Sequence, residues 1–200
     1  LDAIYAAFTV GIDGEGAGDA KSATLSREAL WLGRVAAARM PEAAEAQALF
    51  ALMLYTPARR PARVDAAGCL VPLADQDAAL WDARMMDDAD VALRLAARRP
   101  TPGRYQIEAA IAAAHAARRH GRPADPAAVV ALYRGLAVLH PGAGATVGLA
   151  AALAEAGDLA GAAAALGSVD PVLAAGYQPW WAVRAHVLAR SGDTAAAYAA

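Results

Sequence analysis

The residues best suited to chemistry in this sequence lie in one short stretch, between alanine-rich regions whose residues mainly favour helix. Its charged, polar and aromatic members are Arg59, Arg60, Arg63, Asp75, Gln76, Asp77, Trp81 and Asp82. Arginine and carboxylate side chains form bidentate ion pairs, so pairing between them would fasten this connection as a charged clasp. Charged and aromatic side chains on a loop are also typical of a surface that binds a partner protein. The residues alone leave both interpretations open.

Further polar residues stand at the start of a later predicted helix. Tyr105, Gln106 and Glu108 occupy its first turn, where they could join the same cluster. Trp81 is expected to pack beneath that cluster, because an indole ring buries a large apolar area. We therefore expect the cluster to serve structure or interaction rather than catalysis.

The side chains that commonly act as nucleophiles or metal ligands are scattered. Cys69 has no histidine near it in sequence, which favours a buried and inert thiol. The histidines, which have no metal-ligand spacing, are His115, His120, His140 and His186. Residues 14–18 are rich in glycine but lack the following lysine of a phosphate-binding loop, so they predict a flexible loop. We expect no catalytic residue, no metal site and no cofactor.

Two pairs of arginines need no ligand to explain them. The pairs at residues 98–99 and 118–119 lie at predicted helix C-termini. A cation there interacts favourably with the helix dipole by about 0.3–1 kcal/mol. A helix-end role is therefore the simplest interpretation of both pairs.

Composition argues against several classes of protein. A formal net charge of −2 gives no broad basic field, so the chain is not expected to bind nucleic acid directly. The single cysteine excludes an internal disulfide and fits a reducing compartment. No secretory leader is evident, and glycines and Pro141 interrupt the longest uncharged stretch, residues 135–154, so no membrane span is expected. We expect a cytoplasmic protein, and both ends of the chain lie inside apolar patterns, which suggests a fragment.

The apolar content of 58%, much of it alanine, predicts an all-α fold of thin, closely packed helices. The elements predicted for the first part are a helix over residues 1–10, a loop over 11–19, a helix from a cap at Thr24 or Ser26 to about Met40, and a helix from Pro41 to residues 55–57. The last two helices are expected to form an antiparallel pair.

The charged stretch is predicted to contain a short β-hairpin. Asp65 and Gly68 are placed as in a type I turn, which would join residues 62–64 to residues 69–73. The elements predicted after it are a long helix from a cap at Asp75 or Asp77 to Arg99, ended by Pro100, and a helix over residues 105–120, stopped by Gly121 and Pro123.

An internal repeat occupies the second half of the sequence. Alanine-rich helices end at Gly121, Gly157 and Gly192, and Asp158 and Asp193 are positioned to cap the helices that follow two of them. A period near 35 residues, with a helix, a glycine turn and a second helix, is typical of tetratricopeptide-like repeats. We therefore predict a helical domain over residues 1–100 and a tetratricopeptide-like array over residues 101–200, or one continuous domain.

The central motifs also carry a family resemblance. The motifs are ALML at residues 51–54, ARRPAR at 58–63, Asp65 followed by GCLV at 68–71, DQD at 75–77, LWD at 80–82, and YQIEAAIAA at 105–113 followed by His115. In this order they resemble the C-terminal extension of one group of extracytoplasmic-function (ECF) sigma factors. The chain departs from that group at residues 9–12, which read TVGI where Asn-Glu-Gly-Tyr is usual, and at Ala78, where a basic residue is usual.

The resemblance implies a tetratricopeptide-like domain that follows two sigma domains and regulates transcription initiation. Its implied partners are the upstream sigma domains of the same protein, RNA polymerase or a regulator protein. The sequence leaves two other functions open. One is a general helical-repeat scaffold that binds proteins or peptides; the other is a small-ligand sensor with a pocket between the two halves, near Trp81 and Tyr105.

Overall fold

The computed structural model describes residues 1–16, 19–99 and 102–199, and the chain forms two compact units, Leu1–Pro123 and Ala124–Ala200. Helices and turns make up the described residues, which confirms the predicted all-α fold. The sequence predicts either a boundary after residue 100 or one continuous domain; by its contacts the first compact unit extends to Pro123 and includes the helix over residues 104–116.

The first unit opens with helices α1 (Asp2–Gly16) and α2 (Ala20–Arg39), which pack against each other. The loop predicted over residues 11–19 is wrong for residues 11–16, because α1 continues through them; residues 17 and 18 lie outside the described part. A Cβ atom on Gly11 would stand 2.5 Å from the backbone nitrogen of Ser26. The glycine therefore allows a close approach of the two helices rather than a turn.

Helix α2 begins earlier than predicted. Asp19, not Thr24 or Ser26, caps it, because the Asp19 carboxylate accepts the backbone N–H groups of Lys21 and Ser22 at 3.1 and 3.3 Å. Such a side-chain acceptor satisfies amides that have no partner in the first helical turn.

Helix α3 (Ala44–Ala58) is the centre of the first unit. It packs against α2 and, further along the chain, against α4 (Ala83–Ala96) and α5 (Arg104–Ala116). Leu49, Met53 and Tyr55 of this helix are at most 1% exposed. Because α3 is buried by its neighbours, its position fixes where the residues before α4 and at the start of α5 lie.

Residues 59–82 contain 3-10 turns at Arg60–Ala62, Leu73–Asp75 and Ala78–Leu80 instead of the predicted β-hairpin. The predicted turn is present, since the Gly68 N–H donates to the Asp65 carbonyl at 3.0 Å. The strands are not, because Val64 and Leu70 form only an isolated bridge. The long helix predicted from Asp75 or Asp77 is also wrong at its start, since α4 begins at Ala83.

The last helix of the first unit ends where the glycine pattern predicts. Helix α5 continues into a 3-10 turn at Ala117–His120, and Gly121 follows with a φ of 68°. That left-handed conformation suits glycine and ends a helix by allowing the chain to turn away. Pro100, the predicted end of the previous helix, lies outside the described residues.

The second unit consists of α6 (Pro126–Leu139), α7 (Ala143–Glu155), α8 (Leu159–Gly167), α9 (Pro171–Gly176), α10 (Gln178–Arg190) and α11 (Thr194–Ala199). Gly157 and Gly192 have φ angles of 87° and 86°. The carboxylates of Asp158 and Asp193 accept N–H groups in the first turns of α8 and α11 at 2.8 and 3.0 Å. The glycine ends and aspartate caps predicted for the repeats are thus confirmed.

Candidate functional site

Residues 59–82, named the connecting segment below, link α3 to α4. The two ends of this segment lie together, because the Asp82 backbone N–H donates to the Ala58 carbonyl at 2.9 Å. Near its middle, the Val71 N–H donates to the Arg63 carbonyl at 2.9 Å. The segment is therefore a compact loop with closed ends rather than an open linker.

The tip of the connecting segment is held by one carboxylate. Asp65 accepts the backbone N–H groups of Ala67 and Cys69 at 2.9 and 2.8 Å. Gly68 adopts a φ of 82°, which a side chain would oppose. Cys69 follows on the surface, so the expectation of a buried thiol is wrong.

Two other aspartates of the segment, Asp77 and Asp82, act on helix starts, while exposed Asp75 ends the turn at Leu73–Asp75. Asp77 accepts the N–H of Ala79 at 2.9 Å, and Asp82 accepts the N–H of Met85, also at 2.9 Å. A short side chain next to a helix start meets these amides at little entropic cost. Asp77 and Asp82 thereby begin a 3-10 turn and α4, respectively.

The predicted charged clasp is not formed by Arg59 or Arg63. In the described structure neither guanidinium has an ion pair with Asp75, Asp77 or Asp82. The Arg59 Nε donates instead to the carbonyl of Tyr55, one helical turn earlier, at 3.3 Å. Arg60 is exposed at the start of the first 3-10 turn.

The inner side of the segment is fixed by Gln76, Trp81 and an arginine from beyond α5. Arg118 donates to the carbonyls of Leu73 and Gln76, and the Gln76 Nε2 donates to the Val71 carbonyl at 3.1 Å. Gln76 and Trp81 are 6% and 5% exposed, and Trp81 belongs to the core of the unit. The Gln76 Oε1 and the Trp81 Nε1 are buried without a hydrogen-bond partner among the described residues.

Four basic side chains are related through the pKa shifts of two of them: Arg59, Arg63, His115 and Arg118. Burial lowers the pKa of His115 below its usual value of 6.5, and the positive charges of Arg59 and Arg118 lower it further. Burial also lowers the pKa of Arg59, with a further contribution from Arg63. All four side chains are half-buried. Positive charge from neighbouring arginines therefore opposes protonation of His115 and Arg59.

Tyr105, Gln106 and Glu108 lie in a different place from the connecting segment. Glu45 of α3 accepts the backbone N–H groups of Tyr105 and Gln106 at 3.0 and 3.1 Å, so it caps the start of α5. A Cβ atom on Gly103 would stand 2.3 Å from the Glu45 carboxyl carbon. This docking of a carboxylate on a helix N-terminus fastens α5 to α3.

An aromatic pair joins the start of α5 to α1. The rings of Tyr5 and Tyr105 meet edge to face with centroids 5.5 Å apart, and Arg104 lies over both rings at 5.6 and 5.1 Å. Arg104 also pairs with Glu108 at 2.7 Å. Burial and the nearby charge of Glu108 raise the pKa of the Tyr5 phenol. These contacts give Glu108 and Tyr105 a packing role between α1 and α5.

A partly buried ion-pair network, which sequence reasoning missed, joins α3, α4 and the turn after α5. Arg119 bonds Asp90 and Asp87 at 2.8 Å each, and the Tyr55 hydroxyl donates to Asp90. Burial, followed by the hydrogen bond to Asp90, raises the pKa of the Tyr55 phenol. The arginine pair at 118–119 therefore makes specific tertiary contacts that the helix-dipole interpretation did not include.

The second unit has an aromatic cluster and an open cavity. Trp180 and Trp181 meet edge to face at 4.8 Å, and the Arg184 guanidinium lies 5.2 and 5.5 Å from their centroids. A separate cavity of about 320 Å³ is lined by Ala185, His186, Ala189, Thr194 and Ala197. It runs between α10 and α11.

The described ranges contain neither a metal-binding group of side chains nor a membrane-spanning helix. Within residues 1–16, 19–99 and 102–199 no group of three or more histidine, cysteine or acidic side chains is arranged to hold a metal ion. Among the helices of these same ranges, none combines the length and apolar character needed to span a bilayer.

The chain is similar to a protein family and to one protein, and the descriptions of both state no function. Residues 1–97 match a family model described as "Family of unknown function (DUF6596)". The range includes α1 to α4 and the connecting segment but stops before His115 and Arg118. A protein of Rhizobium meliloti (strain 1021), described as uncharacterized, is 36% identical over 169 residues. The aligned region is 84% of this chain and 39% of that protein, so the chain spans about two fifths of its length. No solved structure matches the chain.

Proposed function

We propose that the chain is a non-enzymatic regulatory domain of an ECF-type sigma factor, located in the C-terminal part of that protein and acting in transcription initiation through protein–protein contacts. Its partners would be the upstream sigma domains, RNA polymerase or a regulator protein, in the cytoplasm. The ordered motifs at residues 51–82 and 105–115 support this assignment through their resemblance to such extensions.

The observation that carries the proposal is the exposed apolar surface on the connecting segment. Val64, Leu70 and Leu80 are 49%, 76% and 53% exposed, while neighbouring residues of the same segment are tied down by hydrogen bonds. Apolar side chains grouped on a surface are typical of protein-interaction sites. A loop that is already ordered also loses less conformational entropy when a partner binds.

The first experiment replaces an exposed side chain in the full-length parent protein. Leu70→Ser should leave the unfolding midpoint unchanged, because the side chain is 76% exposed, but should alter regulated transcription in a reconstituted assay. Val138→Ser on α6 is the matched control, since Val138 is 81% exposed and lies in the other unit. If removal of residues 59–82 leaves promoter activity and its regulation unchanged, the proposal is wrong.

A helical-repeat scaffold that binds a peptide outside transcription is the second candidate. The cavity between α10 and α11 favours it, because about 320 Å³ accommodates one or two side chains of a ligand. Under this alternative, Ala189→Leu would block binding of the partner while Leu70→Ser would not. The two substitutions therefore separate the two candidates in one binding assay.

A further inference from the structure

The tip of the connecting segment folds back on itself as two short, antiparallel runs of chain. Away from the turn, the Val71 N–H donates to the Arg63 carbonyl at 2.9 Å. Closer to the turn, the Asp65 N–H donates to the Cys69 carbonyl at 3.0 Å. In such a pair, every second residue directs its N–H and C=O groups toward the other run, and these two bonds are the inward ones.

Val64 and Leu70 stand between these bonds and form the antiparallel bridge. A residue pair in this position directs its N–H and C=O groups outward, to the two edges. In the part of the chain that the structure describes, neither the N–H nor the carbonyl of Leu70 forms a hydrogen bond. Leu70 is 76% exposed, and Val64, on the same face, is 49% exposed. Leu70 therefore presents a donor, an acceptor and an apolar side chain at one open edge, named the Leu70 edge below.

Contacts on both sides of Leu70 hold this edge in place. The Asp65 carboxylate accepts the Cys69 N–H at 2.8 Å, and the Gln76 Nε2 donates to the Val71 carbonyl at 3.1 Å. An edge that is already ordered loses less conformational entropy when a ligand binds. Two paired strands alone are marginally stable, whereas three strands with an apolar face form a stable sheet. A third strand at the Leu70 edge would complete this small sheet.

We propose that the Leu70 edge binds an extended, uncharged segment of a partner domain as a third, antiparallel strand. One residue of that segment would donate its N–H to the Leu70 carbonyl and accept the Leu70 N–H, with its side chain beside that of Leu70. Proteins commonly recognise a peptide by adding it as a strand to an open edge. The inference names the conformation and chemistry of the partner segment and rests on the proposed interaction function.

The side chains around the edge favour an apolar segment without charge. Leu70 and Val64 form an apolar row on one face, which an apolar side chain of the third strand would extend. The connecting segment exposes charges of both signs, those of Arg60, Asp65 and Asp75 among them, so it does not select an acidic or a basic partner. Apolar residues at alternate positions of the bound segment would therefore decide its affinity.

A second copy of the chain fits the edge less well than a partner domain. Pro72 has no N–H, and its carbonyl accepts from Asp75 and Gln76, so pairing along the edge ends after Leu70. Two copies would meet through this single residue pair, whereas a stable dimer buries about 1,000 Å² or more. A partner domain in the same polypeptide, as in the proposed function, stays near the edge, and this tethering makes a small contact sufficient.

The test compares N-methylated peptides, because an N-methyl group removes one backbone donor and leaves the side chains unchanged. The parent probe is a labelled Thr-Val-Thr-Val-Thr peptide with blocked ends, added to residues 1–200 at up to about 1 mM. A valine beside Leu70 would direct its N–H to the Leu70 carbonyl, and the threonine N–H groups would point away. We therefore expect N-methylation of the valines to weaken binding by about tenfold or more, and N-methylation of the threonines by less than about threefold.

Fluorescence anisotropy measures the dissociation constants. Equal weakening by both sets of methyl groups, or by neither, would mean that the peptide docks without backbone pairing and would overturn the proposal. Weakening by the threonine set alone would indicate parallel pairing and would also overturn it. Absence of binding by the parent probe at about 1 mM would reject the site.

Amide hydrogen exchange locates the added strand on the protein. The Leu70 N–H has no partner in the described structure, so the parent probe should slow its exchange by about threefold or more. The N–H groups of Cys69 and Val71 already have acceptors and serve as internal controls that should change little. Protection of the Val64 N–H in place of the Leu70 N–H would put the strand on the opposite edge and refute the assignment.

Leu70→Asp is the protein variant, because it places a charge beside the apolar side chain of the probe at an exposed position. It should weaken binding of the parent probe by about tenfold or more. Val91→Asp on α4 is the matched control, since Val91 is an apolar side chain of the same unit with 49% exposure, and its effect should be below about twofold. Circular dichroism checks that both variants are folded, and an equal loss of binding in both would contradict the proposal.

Light scattering of the unmodified chain tests the second copy as the occupant. We expect a monomer. A dimer that Leu70→Asp dissociates would assign the edge to a second copy and reject the partner domain.

Failure of this inference is distinguishable from failure of the proposed function. Strand pairing at Leu70 that persists when deletion of residues 59–82 leaves transcription unchanged would retain the edge and remove the sigma-factor assignment. The opposite result, altered transcription in the Leu70→Ser variant without backbone pairing in the peptide assay, would retain the function and reject the third strand.

Discussion

Glu45→Gln tests whether a single carboxylate fastens α5 to α3. Glu45 accepts two backbone N–H groups, those of Tyr105 and Gln106, from 60 and 61 residues away in sequence. A glutamine at this position has one acceptor oxygen, so it can satisfy one of the two amides, and its NH₂ group would face the other. It also removes the negative charge from the positive end of the α5 dipole.

The expected loss follows from these two changes. A hydrogen bond to a charged group contributes about 1.5–3 kcal/mol, and a carboxylate at a helix N-terminus about 0.3–1 kcal/mol. Retention of one weaker bond by the amide lowers the sum, so we expect a loss of about 2 kcal/mol in the unfolding free energy of the first unit. Urea denaturation followed by circular dichroism measures this difference through the midpoint at constant slope.

Glu42→Gln is the control for this experiment. Glu42 lies near Glu45 in sequence, but its side chain is 85% exposed and its partner Arg99 is 49% exposed. An exposed ion pair contributes about 0–1 kcal/mol, so this substitution should have little effect. A Glu45→Gln loss below about 0.5 kcal/mol, or one equal to that of Glu42→Gln, would refute the assigned role of the carboxylate.

Three further substitutions give expected outcomes from single contacts. Gly11→Ala should destabilise the first unit by about 1–3 kcal/mol, because its Cβ would stand 2.5 Å from the backbone nitrogen of Ser26; this cost exceeds the gain from the better helix propensity of alanine. Gly167→Ala is the control, since open space surrounds Gly167, and it should be neutral or stabilising. Thermal unfolding compares the two variants. Tyr55→Phe should cost about 1–2 kcal/mol in urea denaturation, since Asp90 loses a buried donor; no loss would contradict that role. The pKa of His115 is lower in the folded state than in the unfolded state. The stability that the fold has with His115 neutral is therefore fully present above the usual pKa of 6.5 and decreases as the pH falls below it, because the unfolded chain binds the proton more readily. His115→Gln should therefore reduce the loss of stability between neutral and mildly acidic pH, and an unchanged pH profile would count against this reasoning.

The features predicted best from the sequence depend on adjacent residues. The helix ends at Gly121, Gly157 and Gly192 all have the left-handed φ that glycine permits, and Asp158 and Asp193 cap the next helices. Each of these features needs only a few neighbouring residues, whose spacing is visible in the sequence. The all-α fold follows from the same local preferences, summed over an alanine-rich chain.

The errors arose where a distant element decides the structure. Gly11 has the composition of a loop residue, but its reason for being glycine is the backbone of Ser26 on the neighbouring helix. The hairpin failed because the apolar residues around the Asp65 turn have no further strand to pair with, so Val64 and Leu70 remain an isolated bridge. An isolated two-stranded hairpin is marginally stable in water, which the alternation of residue types does not reveal.

The candidate site was predicted in part. The connecting segment was identified as the unusual stretch, but Arg118 contacts the carbonyl of Leu73 across 45 residues of sequence, and its position next to another arginine suggested a helix-end role. The sequence places Tyr105, Gln106 and Glu108 at the start of a helix, from which they could join the polar cluster of the segment. Glu45, which determines where two of them lie, gave no signal beyond an acidic residue in the first turn of α3.

At Arg59 and Arg63 the predicted clasp does not form because backbone N–H groups compete with the arginine side chains for the aspartate carboxylates. A long arginine side chain loses much rotamer freedom when it pairs with an acid, whereas an aspartate beside a helix start accepts an amide two or three residues away with little rearrangement. Asp77 and Asp82 therefore bond Ala79 and Met85, and Arg59 donates to the carbonyl of Tyr55. Three of the four acids of the segment, Asp65, Asp77 and Asp82, thus bond the backbone, so the number of arginines and aspartates in the sequence does not by itself predict an ion pair.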